Sequence, residues 1–162
     1  MIIIGIDPGT ATTGYGVIQK GTGKNPKLTA VDYGCILTDK SLPDAERLKI
    51  LYNKLNALIQ KNRPKVLAVE SIYFFKNLKT AMPVSQAKGV VLLSAAKKGI
   101  PVYEVTPLQM KMTIVGYGRA EKKQVQKMVQ ILLDLEKVPK PDDAADALGI
   151  ALCYALDKSQ LS

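Results

Sequence analysis

Two short β-branched runs, each closing on a carboxylate, constrain the fold of this chain more than any other feature. Met1 to Ile6 is apolar and stops at Asp7-Pro8-Gly9, and Val66 to Val69 is apolar and stops at Glu70. Short apolar runs rich in Ile and Val and bounded by turn formers read as buried strands. Gly14 to Gln19 resumes as a second strand after a turn too short for a parallel crossover, so the first two strands form a hairpin. A turn cluster at Lys20 to Lys27 (Gly21, Gly23, Asn25, Pro26) leads to a third strand, Leu28 to Leu37. From Pro43 the period becomes helical, with Leu48, Leu51, Leu55, Leu58 and Ile59 three and four residues apart, until Asn62-Arg63-Pro64. After the Val66 strand, a helix is expected over Thr80 to Lys98, with Pro83 near its true start and Gly99 past its end. A fifth strand follows over Ile100 to Val105, then a short helix from Thr106-Pro107 to Val115 and another over Ala120 to Leu135. A stiff Pro139-Lys140-Pro141 linker precedes a last helix, Asp142 to Leu156, that is apolar almost all round. This order predicts one α/β domain over residues 1–162: a five-stranded mixed sheet, its first three strands antiparallel, flanked by helices.

Composition narrows the chemistry. The 162 residues contain no histidine, which excludes Ser-His-Asp and Cys-His catalysis and the usual zinc and His-containing iron sites. Any metal must be held mainly by oxygen, and carboxylates select hard cations such as Mg²⁺ or Mn²⁺. Cys35 and Cys153 form no CxxC pair, which argues against a disulfide scaffold. With no run of about 20 apolar residues and no signal-like N-terminus, a cytoplasmic location is expected. The net charge is +9, and its distribution is lopsided: residues 71–130 hold ten basic groups against two acidic ones, while residues 131–162 are net acidic. A basic belt in mid-chain suits a polyanion such as nucleic acid.

Four acids stand in apolar surroundings: Asp7, Glu70, Asp143 and Asp146. Asp143 and Asp146 are three apart and share a helix face. Parallel neighbouring strands would bring Asp7 and Glu70 to one sheet edge, and a helix start at the same edge would unite all four. Like charges about 4 Å apart repel by roughly 4 kcal/mol at an effective dielectric near 20. Something cationic must offset them; the strand-end and helix-start neighbours supply no lysine, whereas one or two divalent ions fit the ligand type. Two such ions can activate water and stabilise a leaving oxygen in phosphoryl displacement, which is nuclease chemistry. Taken singly, Asp7 before Pro-Gly is also a turn residue, and Asp142 and Asp143 also suit a helix N-terminus. Asp146 and Glu70 have neither duty.

Several motifs in order resemble the RuvC family of Holliday junction resolvases. They are Ile4-Gly5-Ile6-Asp7-Pro8-Gly9-Thr10 with Thr13 to Ile18, then Val69-Glu70, then Lys111 to Val125, then Asp143-Ala144-Ala145-Asp146-Ala147-Leu148. The resemblance runs through nearly the whole chain. It implies an RNase H-like fold, a homodimer, and Mg²⁺-dependent nicking of two like-polarity strands at a four-way DNA junction in recombination and repair. It also implies one or two Mg²⁺ ions per site, with Mn²⁺ as a substitute, and a branch-migration complex of RuvA and RuvB as a partner. Matched residue by residue, Asp7, Glu70, Asp143 and Asp146 take the catalytic metal-binding positions; Asp142 pairs with Asp146 at four residues, but the D-x-x-D spacing selects Asp143. Lys111 and Lys122 fall near the scissile phosphate, and Tyr73 matches an aromatic that engages DNA, with Phe74 beside it.

The residues themselves agree with this. Tyr73-Phe74-Phe75-Lys76-Asn77 sets rings beside a basic residue, suited to stacking on unpaired bases. Lys122 and Lys123 open a helix, where positive charge opposes the dipole, which hints at an anionic partner. A junction loses two symmetry-related strands, and a two-fold dimer supplies both sites. Beside a non-catalytic nucleic-acid-binding relative, which the intact four-acid set argues against, the main rival reading is an ATP-binding protein of the actin, hexokinase and Hsp70 superfamily, whose phosphate loop resembles Gly5 to Ala11. Those proteins close two related domains over the nucleotide, and this sequence has length for one.

Overall fold

The computed structural model describes residues 1–71 and 78–157. Its strands are β1 (Ile2–Asp7), β2 (Thr12–Lys20), β3 (Leu28–Leu37), β4 (Val66–Glu70) and β5 (Val102–Val105). Its helices are α1 (Asp44–Asn62), α2 (Leu78–Lys97), α3 (Pro107–Val115), α4 (Lys122–Leu132) and α5 (Asp142–Leu156). The strands form one sheet in the order β3-β2-β1-β4-β5. Strands β1, β2 and β3 pair antiparallel, while β4 runs parallel to β1 and β5 parallel to β4. The expected mixed sheet, antiparallel first and then built by crossovers, is the one observed.

Alternation along the strands divides the core in two. Ile4 and Ile6 of β1 with Leu67 and Val69 of β4 pack with Leu51, Leu55, Ala87 and Val91 of α1 and α2. Ile3, Ile18 and Ala68 look the other way, toward Leu148, Ala151 and Leu152 of α5 and the helices α3 and α4. Side chains two apart share a face, so Asp7 follows Ile3 and Gly5 to the α5 side, and Glu70 follows Ala68 there. The parallel register pairs Ile6 with Val69, so the next residue of each strand, Asp7 and Glu70, emerges side by side at the sheet edge.

Helix α5 lies against β1, β2, β3 and β4, and it does so at very short range. A Cβ on Gly5 would stand 2.1 Å from the Ala147 carbonyl oxygen, and one on Gly14 would stand 2.0 Å from the Asp143 carbonyl oxygen. Only glycine fits at either position. The alanines of α5 complete the close seat, with Ala144, Ala145, Ala147 and Ala151 all buried. This packing places the first two turns of α5, which carry Asp143 and Asp146, over the edge where β1 and β4 end.

Local departures from the expected boundaries have local causes. Helix α2 starts at Leu78, and Pro83 lies inside it; a proline in the second turn forfeits one backbone hydrogen bond and does not set the start. Helix α4 stops at Leu132, with Asp134 at a φ of 53°, so Leu135 lies beyond the helix. β5 begins only after Pro101, at Val102. Thr106 caps α3 as expected, its hydroxyl accepting from the Gln109 amide at 3.0 Å. Both cysteines are free.

Gly5→Ala is therefore expected to cost roughly 3 kcal/mol through backbone overlap, seen as a fall in Tm of roughly 10 °C by calorimetry. A Tm within about 2 °C of wild type would mean that α5 is not seated on β1.

Candidate active site

Where β1 and β4 end, a cleft of about 190 Å³ is lined by Asp7, Glu70, Met110, Lys111, Lys122, Val125 and Asp146. Three of the four sequence-selected carboxylates thus face one hollow, delivered by two strand ends and the second turn of α5. Asp143, in the first turn of α5, does not line the cleft, but its charge acts on Asp7 and Asp146. A roomier groove of about 310 Å³ between β3 and α1 has no acidic side chain in its lining.

The carboxylates are unfavourable neighbours. Burial, followed by the charges of Glu70, Asp146 and Asp143, pushes the Asp7 carboxyl up from 3.8 to about 7, with Lys122 opposing. Burial and then the Asp146 charge raise Glu70, against Lys122 and Lys88. Burial also raises Asp146, opposed first by its hydrogen bond to Lys122. Each acid is held above its ordinary range by desolvation and by like charge, the two effects that disfavour ionisation.

The strand-end and helix-start neighbours of Asp7, Glu70 and Asp146 were expected to supply no lysine, and the cation that reaches them comes from another helix. Lys122, the first residue of α4, places its Nζ 2.8 Å from Asp146 Oδ2 and 3.9 Å from Asp142 Oδ2. α4 is distant in sequence from Asp7 and Glu70 but directly precedes α5, and the packing of α4 against α5 brings Lys122 onto Asp146. Desolvation works against the Lys122 ammonium, yet the hydrogen bond and charge of Asp146, with Asp142 and Asp143 behind, hold its pKa above the ordinary value. Among the described residues no three acidic side chains are gathered tightly enough to hold an ion as they stand. The donor set nonetheless fits a divalent cation: oxygen ligands only, crowded, partly desolvated and short of positive charge.

The other sequence-selected residues divide as follows. Lys111 of α3 lines the cleft, whereas Lys123 is exposed on α4 and does not. Tyr73, Phe74, Phe75 and Lys76 lie outside the described residues. Asp142 bonds Lys140 at 2.9 Å through Oδ1 and remains half-exposed. Sequence reasoning missed a brace behind Glu70: Glu104 of β5 accepts from Lys88 Nζ and, at 3.1 Å, from Ser71 Oγ. The Ser71 amide also donates to the Val105 carbonyl at 2.7 Å.

A mixed five-stranded sheet with helices on both faces and carboxylates converging at the end of its central strands defines an RNase H-like protein. The family model described as crossover junction endodeoxyribonuclease RuvC matches residues 3–154. The crossover junction endodeoxyribonuclease RuvC of Desulfitobacterium hafniense (strain DSM 10664 / DCB-2) is 54% identical over 155 residues, covering 96% of this chain and 92% of that protein. A Thermus thermophilus RuvC structure superposes with a TM-score of 0.91 at 33% identity, covering 99% of this chain and 96% of that one. T. thermophilus RuvC in complex with Holliday junction substrate gives 0.90 at 34% identity, covering 96% and 93%. The chain belongs to the RuvC family of crossover junction endodeoxyribonucleases.

A carboxyl whose native pKa exceeds its unfolded value binds its proton more tightly when folded. Its contribution to stability is fullest below the ordinary 3.8 and is lost as pH rises through about 7. Metal-free protein should therefore lose Tm between pH 5 and pH 8. Asp7→Asn should flatten that slope and raise the Tm at pH 8 by roughly 5 °C; a lower Tm for the variant at pH 8 would contradict the repulsion account.

Proposed function

We propose that this chain resolves four-way (Holliday) DNA junctions by hydrolysing symmetry-related phosphodiester bonds in two strands of like polarity. The observation that carries the reading is the cleft itself. Three crowded carboxylates and two lysines face one hollow in a chain of this family. Asp7, Glu70 and Asp146 would hold Mg²⁺, or Mn²⁺ in its place, with Asp143 completing the set from the edge. One or two ions would occupy each site. A divalent ion there supplies Lewis-acid polarisation of the phosphate and a water of lowered pKa.

The chain's own groups do the rest. Asp7 and Glu70 leave rigid strand ends, and Asp143 and Asp146 leave a helix locked on the sheet, so the ligand positions are fixed before substrate arrives. Lys111 and Lys122 supply positive charge beside the carboxylates, where a phosphate must approach and where its developing negative charge needs an opposing partner. Lys123 extends that basic rim, and Tyr73, Phe74 and Lys76 are the residues we assign to stacking and phosphate contact beyond the cleft. Residues 1–162 act as one nuclease domain.

Two cuts need two sites, so the working form is a homodimer, and a branch-migration complex of the RuvA and RuvB kind is the partner expected on the same junction. Among the described residues no helix is long and apolar enough to cross a membrane, in keeping with action on DNA in the cytoplasm.

The direct test uses a synthetic four-way junction with Mg²⁺, with EDTA, and with plain duplex as control. Cutting is expected only for the junction with Mg²⁺. Loss of outer-shell metal partners costs 10–100-fold, so Asp7→Asn, which removes a ligand, should slow cleavage by roughly 10³-fold while junction affinity stays within about twofold. Undiminished cutting by the variant would remove Asp7 from the site. Lys111→Ala should make the salt dependence of junction binding shallower by about one unit in the log–log slope; an unchanged slope and rate would make Lys111 plain surface.

A further inference from the structure

The carboxylates of the cleft share a cation already, and it is a side chain. Lys122 Nζ lies 2.8 Å from Asp146 Oδ2, a full hydrogen-bonded ion pair, and its charge also steadies Asp7 and Glu70. The lysine stem is only half-buried, with 52% of the side chain exposed, so the ammonium sits on a long flexible arm with room to leave. A second carboxylate oxygen, Asp142 Oδ2, waits 3.9 Å away at the rim. Asp142 spends its other oxygen on Lys140.

We propose that Lys122 is a resident counter-ion of the metal site: it competes with the divalent cation for Asp146, and Asp142 is the carboxylate that receives it when the cation binds. This rests on the metal-binding reading given above. Lys122 holds Asp146 by Oδ2, and a divalent cation taking the other oxygen would face the ammonium across one carboxylate, where the two positive charges repel strongly. Binding therefore displaces the ammonium. Once displaced, it finds Asp142 one short swing away and stays beside the cleft, where a phosphate approaches. Asp142 thus acquires a role as a positioning residue, although the D-x-x-D spacing passes it over.

Competition of this kind scales the apparent affinity for metal by the fraction of sites the lysine leaves free, so a five-fold effect corresponds to about one free site in five. The test is calorimetric titration of the whole chain with MnCl₂, without DNA, for wild type, Lys122→Met, and Lys127→Met as a control that removes one exposed charge from the same helix. Lys122→Met should bind Mn²⁺ about five-fold more tightly, and Lys127→Met should stay within about twofold of wild type. Equal effects of the two variants, or no tightening in Lys122→Met, would overturn the competition. Asp142→Asn should weaken Mn²⁺ binding when Lys122 is present and do so by less in the Lys122→Met background. Equal weakening in both backgrounds would remove Asp142 from the exchange. Failure of wild type and every variant to bind Mn²⁺ would instead strike at the metal reading itself.

Discussion

The structure depends on the contact between α5 and the sheet. Gly5 and Gly14 leave no room for a side chain between β1 or β2 and the backbone of α5, and the alanine-rich face of the helix meets them. That intimacy is a packing device, worth its apolar burial. It is also a positioning device, since the same helix begins with acids. A helix seated an ångström or two higher would keep a hydrophobic core and lose the convergence of Asp146 with Asp7 and Glu70.

What the packing assembles, electrostatics resists. Three carboxylates are driven above their ordinary pKa ranges by burial and by one another, so the fold stores an unfavourable arrangement at the place where it acts. Functional sites are where such arrangements are retained. Here the relief comes from two directions. Lys122 supplies a positive charge from within the chain, and the all-oxygen, histidine-free donor set is shaped for a hard cation from solution.

Much of this was legible in the sequence, and the reasons differ by element. β1 and β4 announce themselves because a buried parallel strand must be apolar throughout, and an acid at its end stands out against that run. Asp143 and Asp146 were legible because three-residue spacing puts both on one helix face. The mixed character of the sheet, antiparallel first and then parallel, followed from the hairpin and the crossovers, whereas the strand order β3-β2-β1-β4-β5 came from the structure. The Lys122 ion pair was not legible: α4 and α5 are consecutive helices, but the angle at which they pack sets whether Lys122 meets Asp146, and the resemblance placed Lys122 only near a phosphate. The Glu104–Lys88–Ser71 brace was hidden for the same reason, being a product of strand order and helix packing. The start of α2 was misplaced because Pro83 usually marks a first turn, whereas tertiary packing here carries the helix through it.

Diffraction from crystals grown with Mn²⁺, collected at a wavelength where manganese scatters anomalously, tests the central claim most directly. An anomalous peak among the carboxylates of Asp7, Glu70 and Asp146 is the expected result. Density with no such peak, or a peak only elsewhere on the protein, would contradict the account of this cleft as the hydrolytic centre.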